Sequence, residues 1–77
     1  MWEEGYLSTN GGQSVKYQVK HYEERSQFGI DGGRISKLLM LADGQVVASY
    51  DRGWQIQLDD KLEDVKEIYR MLLARWN

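Results

Sequence analysis

The C-terminal segment has the hydrophobic spacing of an amphipathic helix. Apolar residues recur at steps of three and four between Leu62 and Trp76, which places them on one helix face. Either Asp59 or Asp60 can cap the start, and acidic residues precede basic ones, the order that the helix dipole favours. The pattern predicts a helix over residues 60–76. The side chains expected to face a sheet are Leu62, Val65, Tyr69, Leu72, Leu73 and Trp76.

The chain before this helix alternates between apolar and polar residues with the period of β-strands. Turn sequences separate these segments: Asn10-Gly11-Gly12 precedes one strand, and Asp43-Gly44 is typical of a tight hairpin turn. Gly53 is expected to bulge the chain or to separate a short last strand. The predicted strands cover residues 2–8, 15–21, 35–41, 46–50 and 54–58.

Together these elements predict one α+β domain over residues 1–77. We expect an antiparallel four- to five-stranded meander, with the C-terminal helix packed across one face because its apolar stripe needs a partner. Residues 22–34 contain three glycines and mixed charge, so they are predicted to form a long loop. Within this loop, Gly29–Arg34 is interpreted as a turn and not as a phosphate-binding loop, because a strand and not a helix follows it.

The amino-acid composition mainly excludes classes of function. The 77 residues include no cysteine and one histidine, which removes thiolate chemistry and most acid–base or metal constellations. We therefore expect no enzyme, no cofactor and no metal, with His21 a hydrogen-bonded residue at a strand end. No apolar run approaches the roughly 20 residues of a membrane span and no signal peptide opens the chain, so we expect a cytoplasmic protein.

Large aromatic residues are abundant for a chain that buries only about 60% of its unfolded surface. Because each ring can bury a large area, we expect these side chains in the core or at its rim. The set comprises Trp2, Tyr6, Tyr17, Phe28, Tyr50, Trp54, Tyr69 and Trp76.

The segment Tyr50–Trp54 is the leading candidate for a recognition site. It combines Tyr, Arg and Trp, the residue types enriched at interface hot spots, around a glycine. One interpretation is a corner that presents Arg52 together with Tyr50 or Trp54. The alternative is that both rings pack inward while Asp51 pairs with Arg52.

Charged residues supply two further candidates. Lys16 and Lys20 share a strand face, and the bases Arg34, Lys37 and Arg52 lie near the third and fourth strands. Beside stacking aromatics such a patch could hold single-stranded nucleic acid, but an isoelectric point near 5.3 argues against direct binding. The loop offers the second candidate, a mixed surface that includes Glu23 and Glu24.

Two motifs carry a resemblance to a known group of proteins: Gly29-Ile30 with Gly32 to Leu38, and Tyr50-Asp51-Arg52-Gly53-Trp54. With Trp2 and Gly5, the chain resembles a family of small uncharacterised proteins carried by phages, plasmids and other mobile elements of Gram-positive bacteria. The resemblance implies no activity, but such elements commonly carry small proteins that block host defence machinery.

We therefore predict a non-enzymatic protein-binding module, in its sharpest form an inhibitor of a host defence nuclease of the anti-CRISPR type. The expected partner is another protein, and the predicted partner-binding residues are Tyr50, Asp51, Arg52, Trp54, Arg34, Lys37, Glu23 and Glu24. A structural or regulatory homodimer and a weak single-stranded nucleic-acid binder are the alternatives.

Overall fold

Two layers make up the protein: an antiparallel sheet and one helix across it. The computed structural model describes residues 1–77. The five strands lie in the order in which they occur along the chain, so the predicted α+β meander with one C-terminal helix is confirmed. The elements are β1 (Trp2–Ser8), β2 (Ser14–His21), a 3₁₀ turn (Ile30–Gly32), β3 (Ile35–Ala42), β4 (Gln45–Asp51), β5 (Trp54–Ile56) and α1 (Glu63–Trp76).

The turn between β3 and β4 has the geometry that its sequence predicts. Asp43 and Gly44 both have positive φ, at 52° and 79°. A two-residue hairpin of this kind requires positive φ at both central positions, which Gly adopts freely and Asp tolerates better than most residues. Of the two alternatives predicted at Gly53, the separate short last strand is observed as β5, and Arg52 takes the left-handed conformation in the turn before it, with φ of 60°.

The helix begins at Glu63, three residues later than predicted, and no side chain caps it. Both expected caps have other partners. The Asp59 carboxylate accepts a hydrogen bond of 2.9 Å from the Lys61 main-chain N–H, and the Asp60 carboxylate accepts one of 3.0 Å from the Lys66 ammonium. Leu62, expected to face the sheet, is therefore exposed in the turn before the helix.

The core lies between α1 and the face of the sheet that it covers. Val65, Ile68 and Leu72 of the helix are buried against strand residues of alternating position. Helix rings complete the contact, since Trp76 lies 5.8 Å from Tyr17 between ring centroids. The fully buried cluster contains Val15, Val19, Ile30, Ile35, Leu38, Met40, Ala42, Ala48, Tyr50, Val65, Ile68 and Leu72.

Three of the predicted core aromatics are not in the core, and for these the prediction is wrong. Trp2, Tyr6 and Phe28 are all more than half exposed, whereas Tyr50 is buried. The β1–β2 register explains the first two, because Trp2 pairs with Lys20 and Tyr6 with Lys16, on the face away from the helix. The remaining rings, Tyr17, Trp54, Tyr69 and Trp76, pack against the core as expected.

The C-terminal residue ties the helix to the long loop. Asn77 accepts a hydrogen bond of 2.9 Å from the Ile35 N–H and donates one of 3.0 Å to the Ile30 carbonyl oxygen. Gly33 lies against the same amide, and a Cβ atom there would overlap it. The loop that leads from β2 to β3 is thereby held against the end of α1.

His21 is the hydrogen-bonded strand-end residue that the sequence predicts. Its Nε2 atom lies 3.0 Å from the Glu3 carboxylate, and its ring stacks on Trp76 with centroids 5.9 Å apart. These contacts lie on the helix side of the sheet.

Candidate functional site

The face of the sheet opposite the helix is uncovered, and we call it the outer face. Strand alternation places on it Lys16, Gln18 and Lys20 of β2 and Lys37, Leu39 and Leu41 of β3. The register with β1 adds Trp2 and Tyr6 beside two of these lysines. The outer face therefore combines basic side chains with exposed aromatic rings.

Four aromatic side chains stand out from this side of the molecule. Their exposed fractions are 55% for Trp2, 67% for Tyr6, 49% for Tyr22 and 53% for Phe28. The Lys20 ammonium lies 5.8 Å from the centroid of the Trp2 ring and 5.5 Å from that of Tyr22. The Lys16 ammonium lies 5.9 Å from the Tyr6 ring. At such distances the cations are attracted to the ring faces, which orders rings and lysines together.

Two cations on this side have no carboxylate partner. Lys16 pairs with Glu4 at 3.3 Å, and Lys37 lies 4.0 Å from the Asp51 carboxylate. Lys20 and Arg52 take part in none of the four ion pairs of the protein. The outer face therefore has a local positive charge, although the whole chain carries a net charge of −2.

These two cations meet at a cleft of about 250 Å³ at one end of the outer face. Four chain segments form it: the end of β2, the long loop, the start of β3 and the turn between β4 and β5. We call it the Arg52 cleft. Its lining residues are Lys20, Tyr22, Ser26, Phe28, Ser36, Lys37 and Arg52.

The backbone at Arg52 fixes one side of the cleft. Tyr50 pairs with Trp54 across the turn, which leaves three residues to reverse the chain. Arg52 adopts a left-handed conformation there, and its N–H donates a hydrogen bond of 3.1 Å to the Ser36 carbonyl oxygen. Such a conformation is strained for a residue other than glycine, and strain of this kind is concentrated at functional sites.

Hydrogen bonds to the main chain fix the opposite side. The Tyr22 N–H donates to the Arg34 carbonyl oxygen at 3.1 Å, which carries the chain on beyond the end of β2. The Ser26 hydroxyl accepts a bond of 3.1 Å from the Phe28 N–H. The exposed rings of Tyr22 and Phe28 are thus attached to an ordered loop.

The charge of the cleft affects its one phenol. Hydrogen bonding to the Lys20 ammonium, opposed by partial desolvation and assisted by the charges of Lys20 and Arg52, lowers the pKa of Tyr22 below its ordinary value of 10.0.

Of the predicted partner-binding residues, Arg52 and Lys37 line the cleft, and Asp51 lies beside it as the partner of Lys37. Tyr50 and Trp54 lie on the other side of the sheet, with rings 5.0 Å apart and Trp54 6.0 Å from Tyr69. The corner therefore packs its two rings inward while Arg52 remains exposed, and Asp51 pairs with Lys37 and not with Arg52. The three other predicted partner-binding residues do not line the cleft; they are Glu23, Glu24 and Arg34.

Sequence reasoning did not place Tyr22, Ser26 or Ser36 in a site. Strand alternation puts Tyr22 on the same face as Lys16 and Lys20, and this is the signal that could have included Tyr22 in the basic patch. The two serines have no distinguishing pattern, because their place in the cleft depends on the path of the loop.

Fold and site together define a small two-layer α+β domain with one uncovered, aromatic and basic sheet face. The chain belongs to the family described as Domain of unknown function (DUF7678), whose model matches residues 1–77. No curated protein and no solved structure matches the chain. No helix has the length and apolar character needed to cross a membrane, and no three His, Cys, Asp or Glu side chains converge as metal ligands.

Proposed function

We propose that this protein is a non-enzymatic binding module that recognises another protein through its outer face. The observation that carries the proposal is the exposure of Trp2, Tyr6, Tyr22 and Phe28 on one side of a very small domain. A chain of this size gains most stability by burying its rings, so four exposed rings on one side indicate an interface. Tyr and Trp, with Arg52 nearby, are also the types enriched at hot spots.

The charge of this surface favours an acidic partner surface. Lys20 and Arg52 form no ion pair within the chain, so acidic groups on the other protein would form ion pairs with them. Two unpaired cations are few for nucleic acid, where binding commonly neutralises about 6–10 phosphates. We therefore favour a protein over single-stranded nucleic acid as the partner.

A more specific proposal concerns the kind of partner that the protein binds. The resemblance to small proteins of phages and plasmids, carried by the Gly29–Leu38 and Tyr50–Trp54 motifs, leads us to propose a cytoplasmic inhibitor of a host defence nuclease. In that role the outer face would cover a surface that the nuclease needs for activity. That role requires no catalytic residue of this chain, because covering the nuclease surface is sufficient for inhibition.

Affinity capture with matched variants tests the proposal. The tagged protein is incubated with lysate of a Gram-positive host, and captured proteins are quantified by mass spectrometry for wild type, Tyr6→Ala and Met71→Ala. Both substituted side chains are exposed, but Met71 lies on the helix. A hot-spot ring is worth about 2 kcal/mol or more, so Tyr6→Ala should reduce capture of a specific partner at least about tenfold while Met71→Ala leaves it unchanged.

Equal capture by all three proteins, or loss with Met71→Ala alone, would overturn the assignment of the outer face. Capture of nucleic acid in place of protein, with affinity falling steeply as salt rises, would favour the nucleic-acid alternative.

A homodimer is the second candidate, and the free edge of β1 favours it. β1 is seven residues long, lies at one end of the sheet and carries two exposed rings, Trp2 and Tyr6. Unprotected edge strands of this kind are templates for pairing with another chain. A solution mass of twice 9.0 kDa that reverts to the monomer mass in Tyr6→Ala would support this candidate.

A further inference from the structure

The Arg52 cleft has features that a protein contact alone does not require. We propose that it binds a phosphate monoester attached to a planar ring, such as a nucleoside monophosphate or an aryl phosphate. This small ligand would occupy Lys20 and Arg52, to which the proposed protein partner would otherwise present an acidic group, but its binding does not depend on that partner.

The cleft has an excess of positive charge. Lys20, Lys37 and Arg52 line the cleft, and the Asp51 carboxylate, 4.0 Å from the Lys37 ammonium, offsets one of these three positive charges. Two positive charges remain. A phosphate monoester carries a charge of about −1.5 to −2 at pH 7, which matches them, whereas a carboxylate carries one.

Several hydrogen-bond donors from different elements line the cleft. Lys20 comes from β2, Lys37 from β3 and Arg52 from the turn before β5, so three different elements each contribute a cation to the lining of the cleft. The Ser26 oxygen already accepts from the Phe28 N–H, which leaves its own proton available to a ligand. Three terminal phosphate oxygens can use more of these donors than the two oxygens of a carboxylate.

The backbone of Arg52 is fixed at the cleft before any ligand arrives, and its guanidinium is free to pair. Its backbone is left-handed and is fixed by the hydrogen bond to Ser36, while no carboxylate of the chain engages its guanidinium. A planar guanidinium fork presented in this way suits bidentate binding of phosphate. The fixed backbone limits the volume that this side chain can reach to the neighbourhood of the cleft.

The walls of the cleft specify the group that carries the phosphate. Tyr22 and Phe28 contribute two exposed rings to a volume of about 250 Å³. Aromatic walls favour a flat ring, on which they can stack. The limited volume suits one ring with its phosphate and not an extended chain of nucleotides.

Titration of the purified protein, followed by amide chemical shifts, tests this inference. The probes are phenyl phosphate, uridine 5′-monophosphate, inorganic phosphate and benzoate. We expect phenyl phosphate or the nucleotide to bind at least about tenfold more tightly than benzoate and than inorganic phosphate, since both the charge and the ring contribute. Stronger binding of phenyl phosphate would identify an aryl phosphate as the source, and stronger binding of the nucleotide a nucleoside monophosphate.

Matched arginine variants locate the binding. Arg52→Gln should weaken binding of the preferred probe at least about tenfold, because one charge-assisted donor is lost. Arg70→Gln, an exposed change on the helix, should leave it within about twofold, as a distant surface charge does when screened by salt. Circular dichroism establishes that both variants are folded.

The inference is overturned if benzoate binds as tightly as phenyl phosphate, if inorganic phosphate equals both ring-bearing probes, or if Arg52→Gln retains wild-type affinity. It is also overturned if no probe shifts the amides of residues 20–37 and 52 at millimolar concentration. None of these results bears on capture of a protein partner, so the two proposals fail separately.

Discussion

The hydroxyl group of Tyr50 donates a hydrogen bond of 2.8 Å to the main-chain carbonyl oxygen of Phe28. Tyr50 is buried in β4 on the helix side of the sheet, whereas the Phe28 ring is exposed in the wall of the Arg52 cleft. One bond therefore connects the core to the loop that closes the cleft. Core packing and cleft shape are coupled through it.

Removal of this bond should loosen the loop while the sheet remains intact. Tyr50→Phe keeps the ring but leaves the Phe28 carbonyl without its donor, at an expected cost of about 1 kcal/mol in the free energy of unfolding. Hydrogen exchange should accelerate chiefly in residues 22–34. Tyr17→Phe is the control, because the Tyr17 hydroxyl packs against Gly5 and takes part in none of the side-chain hydrogen bonds of the chain. Equal melting and equal exchange in the two variants would contradict the coupling.

The left-handed backbone of Arg52 predicts that stability and ligand binding separate at this position. Arg52→Gly removes the side chain and also relieves a conformation with φ of 60° that costs most residues about 1–2 kcal/mol. Against this stands the larger unfolded-state entropy of glycine, about 0.5–1 kcal/mol. We expect a denaturant midpoint equal to or above that of wild type, together with loss of binding at the cleft. A variant clearly less stable than Arg52→Ala would show that the turn does not hold position 52 in this conformation.

The helix–sheet interface should be sensitive to volume at Leu72. This side chain is 2% exposed, so Leu72→Ala should lower the free energy of unfolding by about 2–5 kcal/mol through lost burial and the cavity left behind. Met71→Ala, one residue earlier on the exposed side of α1, should cost less than about 1 kcal/mol. Similar urea midpoints for the two variants would contradict the assigned orientation of the helix.

Stability should decline at alkaline pH through Tyr69. Burial, with smaller effects from Asp31 and Tyr50, raises the pKa of Tyr69 from 10.0 to about 12. The folded state therefore holds this proton more tightly than the unfolded state does, so the stabilisation is complete below pH 10 and is lost as pH rises towards 12. Tyr69→Phe should show a shallower decline over this window, whereas Tyr6→Phe, at an exposed ring, should follow wild type. Parallel curves for wild type and Tyr69→Phe would refute the assignment.

Local patterns were sufficient for the secondary structure but not for the choice of sheet face. The spacing of three and four between Val65 and Trp76 predicts a helix, and the Asp43-Gly44 pair predicts a tight hairpin turn. Both are observed. No such pattern determines the positions of Trp2 and Tyr6. Alternation defines two faces of β1, but it does not determine which face the helix covers. A preference for burying large rings put them on the wrong face.

The cleft could be predicted only in part, because it is assembled from positions distant in sequence. Lys37 and Arg52 were named as candidates, yet their meeting with Lys20 and Tyr22 depends on the bulge between Lys20 and His21 and on the left-handed turn. Neither feature could be predicted from the sequence, because no glycine or proline occupies the bulge at Lys20 and His21 or the left-handed position 52. The inward packing of Tyr50 and Trp54 likewise follows from the β4–β5 register and not from composition.

Chemical-shift mapping of the complex with the captured partner tests the central claim, recognition through the outer face, most directly. The account predicts that partner addition perturbs amides and side chains around Trp2, Tyr6, Lys20 and Tyr22 and extends to Arg52, with α1 little changed. Perturbations concentrated on the exposed side of α1, around Met71 and Arg75, with the outer face unaffected, would contradict it.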